Sequence, residues 1–173
     1  HATDSELSSG LALRFPVKPT ATSTTLSFAL RHRWRLESEL LTHPGVPAID
    51  LLAQSGQSRH SLSFQTTTGK RGWGATLGAN WSSASRVTSG TRTLHTKPPV
   101  TFNLSMFVEP RHLSQSVKKG SMLDNLKVSL EVQNLFRGYR QVTLGDGSNP
   151  PGFSRDEIDP LGRVVRISLR KRF

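Results

Sequence analysis

Apolar residues in this chain rarely come in runs; they come singly, at every second position, and that spacing suits strands far better than helices. The closing stretch is the plainest case. From Arg163 to Phe173, Val165, Ile167, Leu169 and Phe173 fall on one face, while Arg166, Ser168, Arg170 and Arg172 fall on the other. This is the period of two expected of a β-strand lying between two unlike surroundings. One face is greasy and the other strongly cationic.

The pattern recurs upstream. Leu11, Leu13, Phe15 and Val17 share a face after a polar opening, His1 to Ser9, that reads as a loop. A short turn follows at 18 to 22. The longest alternation then sets Leu26, Phe28, Leu30, Trp34 and Leu36 against Ser27, Ala29, Arg31, Arg33, Arg35, Glu37 and Glu39. A helix would scatter those apolar residues around its cylinder, so the strand reading fits better. His32 is the misfit, falling among apolar positions; it is expected near an interface or paired with a neighbouring strand.

Leu62 and Phe64 alternate in the next run, and Gly69-Lys70-Arg71-Gly72 leads into Trp73, Ala75, Leu77, Ala79 and Trp81. So short a connection makes the two an antiparallel hairpin. Val100 to Val108 and Leu126 to Val132 repeat the pattern, the latter continuing into Asn134-Leu135-Phe136. The expectation is an all-β, antiparallel up-and-down meander of about seven strands. The connections 42 to 57, 82 to 99 and 137 to 161 read as loops, the first with a short apolar piece at Ile49 to Ala53. They all fall at one end, with the short turns 18 to 22 and 69 to 72 at the other, as in outer-membrane barrels, although the polar connection 110 to 124 at that second end is longer than such barrels prefer. Trp34, Trp81 and Phe136 come near the loop ends of their runs, and Phe15, Trp73 and Phe173 near the opposite ends, as two interfacial aromatic belts require.

Composition limits the alternatives. Hydrophobic residues make up only 34% of 173, which favours one-faced sheets over a double-layered core. No apolar run approaches the ~18 residues of a spanning helix, whereas a barrel strand needs only about 10 alternating ones. Cysteine is absent, so thiolate chemistry is excluded. The net charge of +11 raises nucleic acid as a partner, but the cations recur at alternate strand positions with no basic helix, zinc-finger spacing or RNA-binding aromatic motif. No nucleic-acid role is expected. No GxSxG, P-loop, GxGxxG or HExxH signature is present, so neither catalytic nor metal residues are expected, nor a cofactor. The six histidines form no close ligand set, and Asp156, Glu157 and Asp159 read as an acidic solvated loop.

The last 49 residues resemble the C-terminal end of TonB-dependent outer-membrane receptors. The resemblance lies in Val128 to Phe136 with its Asn-Leu-Phe ending, in Asp159 to Arg163, and in the final strand ending Arg172-Phe173. Pro44 to Leu52 and Gly72 to Ser82 are similar to corresponding parts of such receptors. The resemblance implies a bacterial outer-membrane barrel of about 22 strands, facing lipid and lipopolysaccharide, filled by a plug domain, and importing a scarce nutrient such as an iron-siderophore complex with energy from the TonB complex. It also implies that Ile167, Leu169 and Phe173 belong to a signal read by the barrel assembly machinery. The chain begins with His1 and carries no plug, TonB box or signal peptide; the expectation is that residues 1 to 173 form one C-terminal barrel segment of a longer receptor.

In that frame Arg31, Arg33, Arg35, Arg166, Arg170 and Arg172 form a lumen-facing cationic stripe. It is expected either to attract an anionic substrate or, more simply, to pair with plug carboxylates or with Glu37, Glu39, Glu109 and Glu131. Phe15, Trp34, Trp73, Trp81 and Phe136 are the interfacial anchors. Two rivals stand beside this reading. One is a soluble, basic all-β module for nucleic acid or polysaccharide, its apolar faces covered by a second sheet. The other is a small self-contained barrel with an eighth strand drawn from 1 to 9 or 110 to 124.

Overall fold

A computed structural model describes residues 2–17, 24–43, 45–89, 92–113, 121–159 and 161–172. In chain order the first elements are β1 (Ala2–Pro16), β2 (Thr25–Leu40), β3 (Ile49–Asp50), α1 (Leu51–Gln54), β4 (His60–Lys70) and β5 (Trp73–Ser82). Then come β6 (Ser85–Ser89), β7 (Arg92–Lys97), β8 (Thr101–Val108), α2 (Pro110–Leu113), β9 (Leu126–Gln133), β10 (Gln141–Leu144), α3 (Arg155–Ile158) and β11 (Val164–Lys171). The main sheet follows the order β1-β2-β4-β5-β8-β9-β11, with every pair antiparallel. The all-β, up-and-down meander of seven long strands is therefore what the chain forms.

From the end that carries the Arg71-Gly72 turn up to a bulge in β2, the register keeps the two faces separate across the sheet. One row reads Leu13, Phe28, Thr66, Leu77, Leu104, Val132, Val165, and the next on that face reads Phe15, Leu26, Thr68, Ala75, Met106, Leu130, Ile167. Between them, on the opposite face, lies Arg14, Ser27, Thr67, Thr76, Ser105, Glu131, Arg166. Residues directly opposite share a face, so seven separate alternations merge into one apolar surface and one polar surface. A slip of one residue anywhere would mix them.

Little covers the apolar surface. Among the described residues the buried hydrophobic ones are Leu52, Val132 and Val142 alone, while Ile167 and Leu169 are 68% and 71% exposed. The accessible surface is 12543 Å², whereas a compact monomer of this mass exposes about 8,400 Å². The chain is thus a curtain of strands with a small core at one end.

That core is where the structure departs most from expectation. The connections read as loops at 82 to 99 and 137 to 161 contribute β6, β7 and β10, a second sheet in the order β10-β7-β6. β6 and β7 are Ser-, Thr- and Arg-rich, and β10, Gln141-Val142-Thr143-Leu144, is only four residues long, so none offers an apolar alternation long enough to give it away. The segment 41–59 joins them: Gly56 N–H donates to Arg86 O at 2.9 Å, Ser55 bridges Val87, and Leu52 of α1 is buried. The three long connections therefore knit together at one end of the sheet, here termed the loop end; the opposite, hairpin end carries the turn Arg71-Gly72 and α2. Gly72 adopts φ 93°, and a Cβ there would lie 2.5 Å from His112 Cβ, so this turn requires glycine.

Two further corrections concern β1 and β2. Residues 2 to 9, read as loop, are the first half of β1, paired with β2 from Ala2 opposite Leu40; the long partner strand supplies backbone bonds that their polar side chains do not advertise. Between Ser5/Glu6 the register slips, with Glu6 opposite Arg35 but Ser5 opposite Glu37, so Leu36 is the extra residue of a bulge. The alternation inverts there, and Glu37 does not share the face of Arg35 as its parity suggested. Residues 2 to 9 continue β1 and so add no eighth strand of their own; of the other candidate stretch, 110 to 124, residues 110–113 form α2 and 114 to 120 lie outside the described residues. The turn at 18 to 22, His1 and Phe173 lie outside the described residues.

Candidate functional site

The polar face is the candidate site, and the expected arginine stripe divides into two groups on it. Arg31, Arg33 and Arg35 line β2, and Arg166 and Arg170 line β11, with β4, β5, β8 and β9 between them; Arg172 follows directly after β11. Arg33 Nε lies 3.7 Å from Glu6 of β1, a partner hidden by reading 1 to 9 as loop. Arg35 donates to Ser58 O at 3.4 Å. Arg166 meets Glu131 at 3.5 Å, one of the expected carboxylates. Glu109 instead faces His112 at 3.6 Å. With both partners about half exposed, the Arg33 and Arg166 pairs are each worth at most about 1 kcal/mol. They organise the surface more than they hold it.

Between the two cationic strands the face is lined by short polar side chains and glycines. Thr67 and Thr76 share a hydroxyl hydrogen bond at 3.1 Å. Gly10, Ala12, Ala29 and Gly78 leave a shallow hollow of about 420 Å³ beside Arg31 and Gln65. Among the described residues no group of three or more His, Asp or Glu side chains converges as a metal site would require. This surface offers hydrogen bonds and positive charge.

On the apolar face, aromatic side chains stand near both ends of the strands. Trp73 and Trp81 close the run of β5, eight residues apart, about 27 Å along the strand. Phe15 packs edge-on to Phe28 at the hairpin end, and Phe136 packs edge-on to Phe102 at the loop end. Trp34 stacks on His60, with ring centroids 5.6 Å apart. Ile167 and Leu169 lie opposite Leu130 and Val128, while Lys171 lies opposite Leu126 at the strand end.

His32, the misfit of β2, is paired. Its Nε2 lies 3.2 Å from His60 Nδ1 and the rings are stacked. One ring donates and the other accepts, so each satisfies its neighbour on a face that offers few other polar groups. The sequence flags His32 as needing a partner, but its 28-residue separation from His60 conceals which.

Sequence reasoning missed the residue that organises the closing loop. Asn134, with φ 51°, follows β9. Its Nδ2 donates to Gly138 O at 2.7 Å and lies 3.3 Å from both Asp159 Oδ2 and Gly162 O, while its Oδ1 accepts from Gly138 N at 2.8 Å. Its amide N–H donates to Asn103 Oδ1. The Asn134 side chain thus clasps both feet of the loop, while its backbone N–H ties them to β8. The acidic set is shared among such contacts instead of converging: Asp159 accepts from Gly162 N, and Glu157 accepts from the hydroxyl and amide of Ser154.

Those two bonds hold the Glu157 carboxyl below its usual 4.5, the Ser154 hydroxyl contributing most. A carboxyl with a lowered folded value stabilises its turn above the unfolded value and loses that contribution as pH falls through the folded one. The protection of the Ser154 amide, relative to a free amide at the same pH, is therefore expected to be present at pH 6 and to fall as pH drops below 4.5. Unchanged protection at pH 3 would mean the contact does not order the turn.

No protein-family model, curated protein or solved structure matches this chain.

Proposed function

We propose that the chain is a seven-stranded section of an outer-membrane β-barrel, of the TonB-dependent receptor kind, which serves uptake of a scarce nutrient such as an iron-siderophore complex. The observation that carries the membrane part is the apolar face seven strands wide, bounded by aromatics at both ends and left uncovered by the rest of the chain. Water would not tolerate so continuous an apolar patch on a monomer; lipid would. The receptor part rests on the resemblance carried by Val128 to Phe136, Asp159 to Arg163 and the closing strand.

The sheet's two edges support a larger barrel. β1 and β11 run the same way, from the loop end to the hairpin end, because an odd number of strands separates the first direction from the last. Joining them would create a parallel pair in an otherwise antiparallel barrel. Strands of opposite direction on the far side of either edge would satisfy the free backbone groups, as a bilayer demands. In this reading the outward face meets lipid and lipopolysaccharide, and the loops lie outside the cell. Ile167 and Leu169 face lipid within the segment offered to the assembly machinery. The polar face lines the path that plug and substrate occupy, and no enzymatic step or cofactor is involved.

Fractionation tests this directly. Expressed in a Gram-negative host behind a secretion signal, the chain is expected in the outer-membrane fraction, resistant to carbonate and released only by detergent. A monomer that stays in solution without detergent would refute the membrane reading and favour a soluble basic module.

A further inference from the structure

We propose that the hairpin end of the polar face holds a binding site for a multiply charged, phosphate-type oxyanion, formed by Lys127, Arg170 and Arg172. The register carries this. β9 and β11 set Lys127 directly opposite Arg170, and like charges directly opposite destabilise an antiparallel pair. Farther along the same two strands the opposed residues are Glu131 and Arg166, which do form an ion pair. The strand pair thus matches charge at one position and opposes it at another, and an anion seated between Lys127 and Arg170 would relieve the second.

The surroundings have the shape of a site. Lys127, Arg170 and Arg172 line a cavity of about 240 Å³ with Glu109, Arg111 and His112. The Lys127 ammonium lies 4.0 Å above the Phe107 ring, which fixes its direction. Arg172 follows on the same face, and its amide donates to Asn125 O at 3.3 Å. Arg111 is already answered by Asp124 at 2.7 Å and Asn125 at 3.3 Å. Among the described residues no carboxylate lies within ion-pair distance of Lys127, Arg170 or Arg172. Three cations face a single lining carboxylate, Glu109, so the complement carries at least two negative charges. Guanidinium groups take phosphate oxygens in pairs.

Lys127 and Arg170 stand on the sheet face opposite the one that carries Val128, Leu130 and Leu169, which assigns the site to a water-borne phosphate or phosphate ester and not to a lipid headgroup. The inference rests on two strands and their register, and stands whether lipid or protein covers the other face.

Pyrophosphate is the probe, titrated calorimetrically at low salt into the full chain in an uncharged maltoside detergent, or in plain buffer if the chain proves soluble. Saturable one-to-one binding is expected, weakened at least tenfold by Lys127→Ala or Arg170→Ala, weakened by added salt, and unchanged by Arg92→Ala in β7 of the second sheet. Arg170→Glu separates binding from folding: it replaces a like-charge opposition with an ion pair, so its thermal midpoint should equal or exceed that of the parent while binding is lost. Absence of saturable binding, equal loss with Arg92→Ala, or retained binding in Arg170→Glu would overturn the site. A parallel arm offers micelles doped with phosphatidylglycerol; Arg170-dependent lipid retention without pyrophosphate binding would overturn the water-borne assignment. Solubility without detergent would count against the membrane reading alone and leave the titration interpretable.

Discussion

Leu130→Arg is expected to abolish stable insertion of the chain into membranes, while Ser129→Arg, one residue away, leaves it nearly intact. Leu130 stands between Met106 and Ile167 in the middle of the apolar face. An arginine at such a midplane position on a lipid-facing strand costs about 2–4 kcal/mol. That is a large share of the 5–15 kcal/mol typical of a folded protein. Ser129 lies on the polar face opposite Phe107 and Ser168, where a long cationic side chain can reach water. The measurement is the detergent-extractable fraction of each variant, with folding followed by circular dichroism. Equal behaviour of the two variants would mean that the faces are not in unlike surroundings.

Asn134→Ala is expected to cost about 3 kcal/mol and to release the loop from 137 to 161 without unpairing β9. The estimate combines several hydrogen bonds worth about 1 kcal/mol each with the left-handed backbone at φ 51°, which asparagine adopts readily and alanine only at about 1 kcal/mol or more. Asn134→Gly restores the backbone freedom but not the bonds, so it should recover only the smaller part. Asn134→Asp removes the Nδ2 donor and sets a second carboxylate beside Asp159, so it should be no better than alanine. Hydrogen exchange at Gly138 and Gly162, together with protease cutting within the loop, reads the release; a loop as protected in the alanine variant as in the parent would deny Asn134 its role. The same residue begins the Asn-Leu-Phe motif on which the receptor resemblance leans, and the structure supplies a physical reason for an asparagine there.

Much of the strand content could be read directly from the residues, because alternation is a local property. Each run from Leu11 to Val17, Trp73 to Trp81 or Val165 to Leu169 declares its two faces without reference to any other part of the chain. Polar strands escaped for the same reason. Residues 2 to 9 and β10 are held by backbone bonds to partners far away in sequence, and β6 and β7 by pairing with each other, and these short or polar stretches carry no sustained periodic signal. The bulge at Leu36 is a similar case: it exists because β1 and β2 differ by one residue in length over a shared path, which neither strand reveals alone.

The sequence by itself determined that this chain makes two-faced antiparallel strands with one greasy and one cationic side, since the backbone's period of two converts every alternation into a face. Only the tertiary structure decided which residues meet across those strands. Register between distant segments is set by long-range hydrogen-bonded pairing that no local pattern encodes. It is the register that gives His32 its partner in His60, divides the arginines between two strands, and sets Lys127 opposite Arg170.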